Sequence, residues 1–392
     1  MAGNGSGAAK KSGSKAPLVI LIIVTVLLIA ALAGAYVLLM NNQNEQNRLG
    51  ILSKNAEDAQ KTANINEYNQ LMVDYVNETA RIDAENAELT RRIKPAPAAS
   101  GWDMIDVSTF PIENAVKVNA SRMQLQLGGG VLVNYWHAVP GDMPTDQLVS
   151  IQGTLENRWQ VGKKGSAIKM YPVAVFAYDK MMTAAKEDGL ESYIASEAWR
   201  SNEEQQETWD KYEGKKEYSS LAGEAKRAKI NETVSYPGTS EYQSGFAVCI
   251  QRYKAGEAEF NKTFAGTEHS KWLQENSWKY GFIFRYPISG YPESDTVDKS
   301  WKTGRANQLS IYRYVGEANA AVMHINDWCM EEYYEYLAEH PHIEIYENGV
   351  KKYEIARVAY DGGDEVTFSV GSCLSYEVSI DNLGGIIIGM CY

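Results

Sequence analysis

Apolar and polar positions follow different rhythms along the chain, and each rhythm predicts a different kind of structure. Leu18 to Met40 runs without a single charge. That length and uniform apolarity predict a helix able to cross a bilayer. Lys10, Lys11 and Lys15 precede the run, so the positive-inside rule places residues 1–17 in the cytoplasm and the later residues outside. Ala31-Leu32-Ala33 also resembles a small-residue cleavage site, which leaves a cleaved signal peptide as the alternative. The run is longer than a usual signal core, and that favours an uncleaved single-pass anchor, residues 18–40.

Residues 41–94 are polar, and their apolar positions change period. Tyr68, Met72, Tyr75, Thr79, Ile82, Asn86, Leu89 and Ile93 are spaced alternately by four and three, the spacing of a coiled-coil seam. Leu49, Leu52, Ala56, Ala59 and Ala63 keep the same spacing but join it with a break in phase. A coiled-coil stalk is expected, able to form a homo-oligomer with Asn86 fixing register, or else a solitary polar helix. The Pro-containing stretch from Lys94 to Gly101 ends it, and residues 95–129 read as linker and lead-in.

From about Gly128 short strands and amphipathic helices mix, which predicts an α+β domain over 130–340. Val131–Asn134 is expected as a short strand, Val173 to Gly189 as a helix ending at its glycine, and Tyr193–Gln206 as strand then helix. Trp272–Pro287 reads as helix then strand, and Glu317 to about Glu339 as one closing helix. Residues 341–392 alternate with period two around the turns Glu347-Asn348-Gly349 and Asp381–Gly385, so a small separate β domain is expected there.

The net charge of −12, with no basic stripe, excludes a nucleic-acid partner. Four cysteines are too few for a disulfide framework. They leave Cys373–Cys391 and Cys249–Cys329 as candidate bridges.

Four stretches carry the chemistry: Trp199-Arg200-Ser201, Pro237-Gly-Thr-Ser-Glu-Tyr-Gln-Ser-Gly-Phe-Ala-Val-Cys249, Trp272 through Pro287, and Gln308-Leu-Ser-Ile-Tyr-Arg-Tyr-Val-Gly316. In this order they resemble the zinc D-Ala-D-Ala carboxypeptidases of the VanY type. The resemblance implies a VanY/hedgehog-type peptidase-like fold with an antiparallel sheet and helices. That family reads Ser-Gly-Tyr-Arg-Ser, Pro-Gly-x-Ser-x-His with Asp following, and Glu-x-Trp-His-x-Arg-Tyr-Val-Gly. On those frames Tyr242, Cys249 and Ile311 fall on the three zinc ligands and Gln308 on the catalytic Glu.

The resemblance further implies that Arg200 grips a peptide carboxylate, with Trp199 and Ser240 beside it on the substrate-binding side. A guanidinium suits that task because it offers a rigid bidentate fork. Ile has no lone pair, Tyr binds metal only as phenolate, and Gln takes no proton at neutral pH. No zinc or other cofactor is therefore expected, nor hydrolysis by the family mechanism. The expected partner is a peptidoglycan stem peptide or a cell-envelope protein. Two alternatives stay open: an active D,D-carboxypeptidase with a rearranged metal site, with His269 or His324 as the replacement ligand, and a purely structural envelope scaffold.

Overall fold

A computed structural model describes residues 16–51, 58–154 and 159–392. Most of the cationic tail, residues 1–15, lies outside the described residues, as do Leu52 and Ala56 of the earlier seam. The chain divides into two compact units, Met1–Leu89 and Thr90–Tyr392.

Among its described residues the first unit holds one helix and most of a second. Helix α1, Ala16–Ile51, contains the uncharged run, and Leu21–Asn44 has the length and a mean hydropathy of 2.8 fit for a membrane span. Helix α2, Asp58–Arg92, is polar on most of its surface. Its half-buried described positions include the expected seam residues Tyr68, Met72, Tyr75, Thr79, Ile82 and Asn86. In the single chain Tyr75 Oη donates to the Ala31 carbonyl at 3.4 Å, so the seam meets α1. Ile93 falls beyond the helix and is exposed.

The second unit is built on strands. In chain order they are β1 Trp102–Asp106, β2 Val116–Ser121, β3 Val149–Ser150, β4 Gln160–Val161, β5 Lys169–Met170, β6 Tyr193–Glu197 and β7 Ala247–Arg252. Then follow β8 Phe282–Phe284, β9 Ile311–Tyr314, β10 His342–Glu347, β11 Val350–Ala359, β12 Glu365–Val370, β13 Ser375–Ile380 and β14 Gly385–Cys391. A central sheet has the order β4-β6-β7-β9-β8, antiparallel except for the β4–β6 pair. A second, wholly antiparallel sheet has the order β1-β10-β11-β14-β13. Helix Pro172–Glu187 packs Ala174, Val175, Tyr178, Met181 and Met182 into the core beside Val248 and Ile250 of the central sheet and Phe246 just before it.

The C-terminal strands do not stand apart. β1, from the expected lead-in, forms the edge of their sheet, and β2 pairs with β12. β14 is buried on both faces: Ile386, Ile388 and Met390 join the core of the central sheet. Ile387 joins a second cluster with Val322, Tyr333, Leu337 and Ile343. A strand covered on both sides reads as an unbroken apolar run rather than an alternation, as Ile386-Ile387-Ile388 does.

Other differences have local causes. Val131–Asn134 is extended but forms no ladder, because its backbone groups are taken by side chains. The Gly130 N–H donates to Ser379 Oγ at 2.6 Å, Leu132 N–H to Asn382 Oδ1 at 2.8 Å, and the Val131 and Val133 carbonyls accept from Arg313 and Arg285. The expected single helix over 317–339 is two, Glu317–Ile325 and Met330–Glu339. Asp327 adopts φ 52°, and the N–H groups of Trp328 and Asp327 return to the Met323 and His324 carbonyls. That is a Schellman stop, and Asp is among the few residues that tolerate it. All four cysteines are free thiols, so neither Cys373–Cys391 nor Cys249–Cys329 is bridged.

Candidate functional site

The local sequence explains how the site loops are held. Ser201 begins helix Asn202–Glu213 with a capping box: its hydroxyl accepts from Glu204 N–H at 3.2 Å and its own N–H donates to Glu204 Oε2 at 2.9 Å. This fixes the corner at which Arg200 leaves β6. The Arg200 N–H donates to the Tyr242 carbonyl at 3.0 Å, tying that corner to the 3-10 turn Glu241–Ser244. Gln243 braces the turn from inside, accepting from Gly238 N–H at 2.7 Å and donating to Asn202 Oδ1 at 3.2 Å. Ser240 is buried at its start. Gly245 closes it at φ 78°, where a Cβ would lie 2.5 Å from the Tyr171 ring. Only glycine meets both demands.

The three positions that resemble zinc ligands converge. Cys249 pairs in register with Glu197 of β6 on one side and Ile311 of β9 on the other. Tyr242 packs on the small apolar cluster of Ala247, Tyr286 and Ile311. Burial raises the Tyr242 phenol well above its ordinary range, and its hydrogen bond to Cys249 adds to this. Burial likewise raises the Cys249 thiol, outweighing hydrogen bonds from Ser196 and Tyr242. The two polar groups are thus neutral and satisfy each other, and the third is hydrocarbon.

These residues do not fit a zinc ion, which needs deprotonated sulfur or oxygen donors or imidazole nitrogen. Among the described residues no three His, Cys, Asp or Glu side chains gather as a metal-binding group. Neither His named as a replacement reaches the site. His269 bonds the Glu191 carbonyl at 2.6 Å and packs edge-on against Tyr193, while His324 stacks on Trp278 at 4.9 Å. Gln308 is exposed in the loop before β9.

Arg200 is largely buried, its guanidinium 4.8 Å from the centre of the Tyr242 ring. It donates to Gln205 Oε1 at 2.9 Å, and its Nη2 lies 3.4 Å from Glu197 Oε2. Lys164 holds the same Glu197 at 2.9 Å. Trp199 packs partly buried against the main core, its N–H bonded to the Lys169 carbonyl. A second guanidinium, Arg305, is buried 5.5 Å from the Tyr286 ring and donates to the Asn231 and Thr233 carbonyls. Burial lowers its pKa, and the positive charges of Arg285 and Arg200 act in the same direction.

Sequence reasoning missed the charged frame beneath. Glu241, 1 % exposed, accepts from Arg285 Nε at 2.5 Å and from Arg313 Nη1, and both arginines are fully buried. Arg285 also grips Glu331 at 2.7 Å, and Glu331 accepts from Asn134 Nδ2 at 2.9 Å. Burial alone would raise the Glu331 carboxyl, but Arg285 holds it below its ordinary value. The available signal was an arginine inside an otherwise apolar strand run, Phe282-Ile-Phe-Arg-Tyr and Ile311-Tyr-Arg-Tyr-Val, which demands a buried anion.

The VanY family, described as D-alanyl-D-alanine carboxypeptidase, matches residues 167–303. The YodJ protein of Bacillus subtilis (strain 168) is 33% identical over 210 residues, 52% of this chain and 66% of that protein. A D-alanyl-D-alanine carboxypeptidase of Enterococcus faecium is 28% identical over 276 residues, covering 70% of this chain and 79% of the relative. The D,D-dipeptidase VanXYg, solved with a D-Ala-D-Ala phosphinate analog, has the same fold at 19% identity and a TM-score of 0.52, covering 71% of this chain and 99% of that one. The chain belongs to the VanY D-Ala-D-Ala carboxypeptidase family, as an α+β member with an N-terminal apolar helix and a β-rich C-terminal region.

Proposed function

We propose that this protein is a catalytically retired VanY-type domain, held at the outer face of the membrane by α1, that binds the carboxylate end of a cell-wall peptide without hydrolysing it. The observation that carries this reading is the convergence of Tyr242, Cys249 and Ile311 into a neutral, self-satisfied cluster beside an Arg200 that retains its guanidinium. Binding and turnover draw on different groups, so one can outlast the other. Two guanidiniums near the Tyr242–Tyr286 cluster, Arg200 and Arg305, favour an anionic ligand. A second reading, a structural scaffold of the envelope, is favoured by one contact: Glu197 already offers Arg200 an internal carboxylate.

One titration separates them. The full-length chain in detergent is mixed with a stem peptide ending in D-Ala-D-Ala, with bound zinc and released D-Ala measured alongside. Retired binding predicts zinc far below one per chain, no released D-Ala, and saturable binding that Arg200→Ala abolishes. Glu197→Gln should tighten that binding by removing the competing carboxylate. No binding by wild type or Glu197→Gln would assign the scaffold instead. One zinc per chain together with D-Ala release would overturn both.

A further inference from the structure

Beyond the Arg200 site, the fold exposes two indoles on the rim of one pocket. Trp136 and Trp301 are 59 % and 68 % exposed, and they line a cavity of about 460 Å³ with Leu132, His137, Lys302 and Glu335. Side chains of this size usually bury most of their surface, so two on one pocket call for an occupant.

Neither indole is loose. Asn134 donates to buried Glu331 at 2.9 Å, which fixes its amide orientation. Its Oδ1 then accepts from the Trp136 N–H, the His137 N–H and His137 Nδ1 at 2.9, 2.9 and 2.8 Å. The Trp136 loop is thereby anchored to the same buried network as Arg285. Trp136 also meets Tyr135 edge-on at 5.8 Å, and its ring lies over Gly304, where a Cβ would approach to 3.4 Å. Trp301 sits on the short helix Ser300–Thr303, which Lys299 and Lys302 tie to Glu332 and Glu335. The Trp136 loop and the Trp301 helix are both anchored before any ligand arrives, which lowers the entropy cost of binding.

The polar groups decide the ligand class. Because Asn134 Oδ1 can only accept, His137 Nδ1 is the donor in their contact, and the far edge of the imidazole faces the pocket as a further polar group. Lys302 and Glu335 neutralise each other, so the rim offers donors and acceptors with no net charge. Rigid aromatic faces with charge-compensated polar groups suit a neutral ring that is apolar on its faces and hydroxylated at its edge. We propose that the Trp136–Trp301 pocket binds a pyranose of a glycan chain. Arg200 does not line this pocket.

The test titrates the full-length chain in detergent with chitotetraose, a peptide-free N-acetylglucosamine oligomer, following tryptophan fluorescence and chemical shifts. Saturable binding is expected, weakened about tenfold or more in each of Trp136→Ala and Trp301→Ala, and unchanged in Arg200→Ala. Trp301→Phe, which keeps an aromatic face, should retain part of it, and near-UV circular dichroism confirms that each variant is folded. No saturable binding, or binding unaffected by both alanine variants, overturns the proposal. Concentration-dependent self-association lost in Trp301→Ala would overturn it too, assigning the patch to a second copy.

Discussion

Glu241 lies between Ser240 and Tyr242, and its carboxylate is what keeps the site loop in place. It is the shared anion of two fully buried guanidiniums, Arg285 and Arg313. Removing one partner of such a set leaves charge uncompensated in the interior, which costs about 3–5 kcal/mol. Glu241→Gln keeps the shape and removes the charge. Chemical denaturation should show a loss of that order, with the Trp136 and Arg200 loops losing order together. A loss under about 1 kcal/mol would mean the arginines find other anions. This also explains what could be read from the sequence alone. The turn at Pro237-Gly238 and the glycine at Gly245 announce themselves by backbone demands on one residue. Glu241 looked like one more polar loop residue, because its partners lie 44 and 72 positions away.

At the scale of single elements, β11 shows how a strand can carry charge inside a sheet. Glu354 is fully buried and stands directly opposite Glu344 of β10. Lys351 bridges the two at 2.7 and 3.1 Å, and His342 Nε2 lies 2.8 Å from Glu354. Burial pushes the Glu354 carboxyl up, but the hydrogen bonds from His342, Lys351 and Tyr392 prevail and bring it from 4.5 to about 2. A carboxyl depressed on folding adds stability that is complete above its unfolded value and fades as pH falls through the folded one. The contribution of about 3 kcal/mol should therefore disappear between about pH 4.5 and pH 2. Unfolding free energy followed stepwise through that window should fall steeply in the wild type and less so in Glu354→Gln. Parallel slopes would place the acid sensitivity elsewhere. The hairpin β10–β11 itself was legible, since Asn348 and Gly349 take φ 50° and 77°, the demand of a tight two-residue turn. β12 and β13 were not, for Thr367, Ser369 and Ser375 dilute their alternation and β12 finds its partner in β2, far back in the chain.

For the whole molecule, the decisive issue is whether the C-terminal strands are an appendage. The expected boundary at residue 341 rested on a change of rhythm from helical to alternating, and local rhythm carries no information about which distant face a strand covers. β14 settles the packing: Ile387 fills one cluster with Val322, Tyr333 and Leu337, while Ile386 and Ile388 fill the other with Phe246 and Tyr314. Glu377 of β13 reaches across to accept from Tyr314 Oη and from the Glu317 N–H, at the start of the helix that follows β9. Ser379 and Asn382 supply the partners that the Gly130–Leu132 backbone lacks. Ending the chain at His340 would strip both clusters and orphan those backbone groups, each at about 1–3 kcal/mol. Added to the lost burial of both clusters, such losses exceed the roughly 5–15 kcal/mol by which most domains are stable. Full-length protein cut back to His340 should therefore lose its cooperative thermal transition and its near-UV circular dichroism, whereas a detachable β domain would leave both in place. The candidate site would be lost with them, because Tyr314, Arg313 and Glu241 are neighbours in one packed structure.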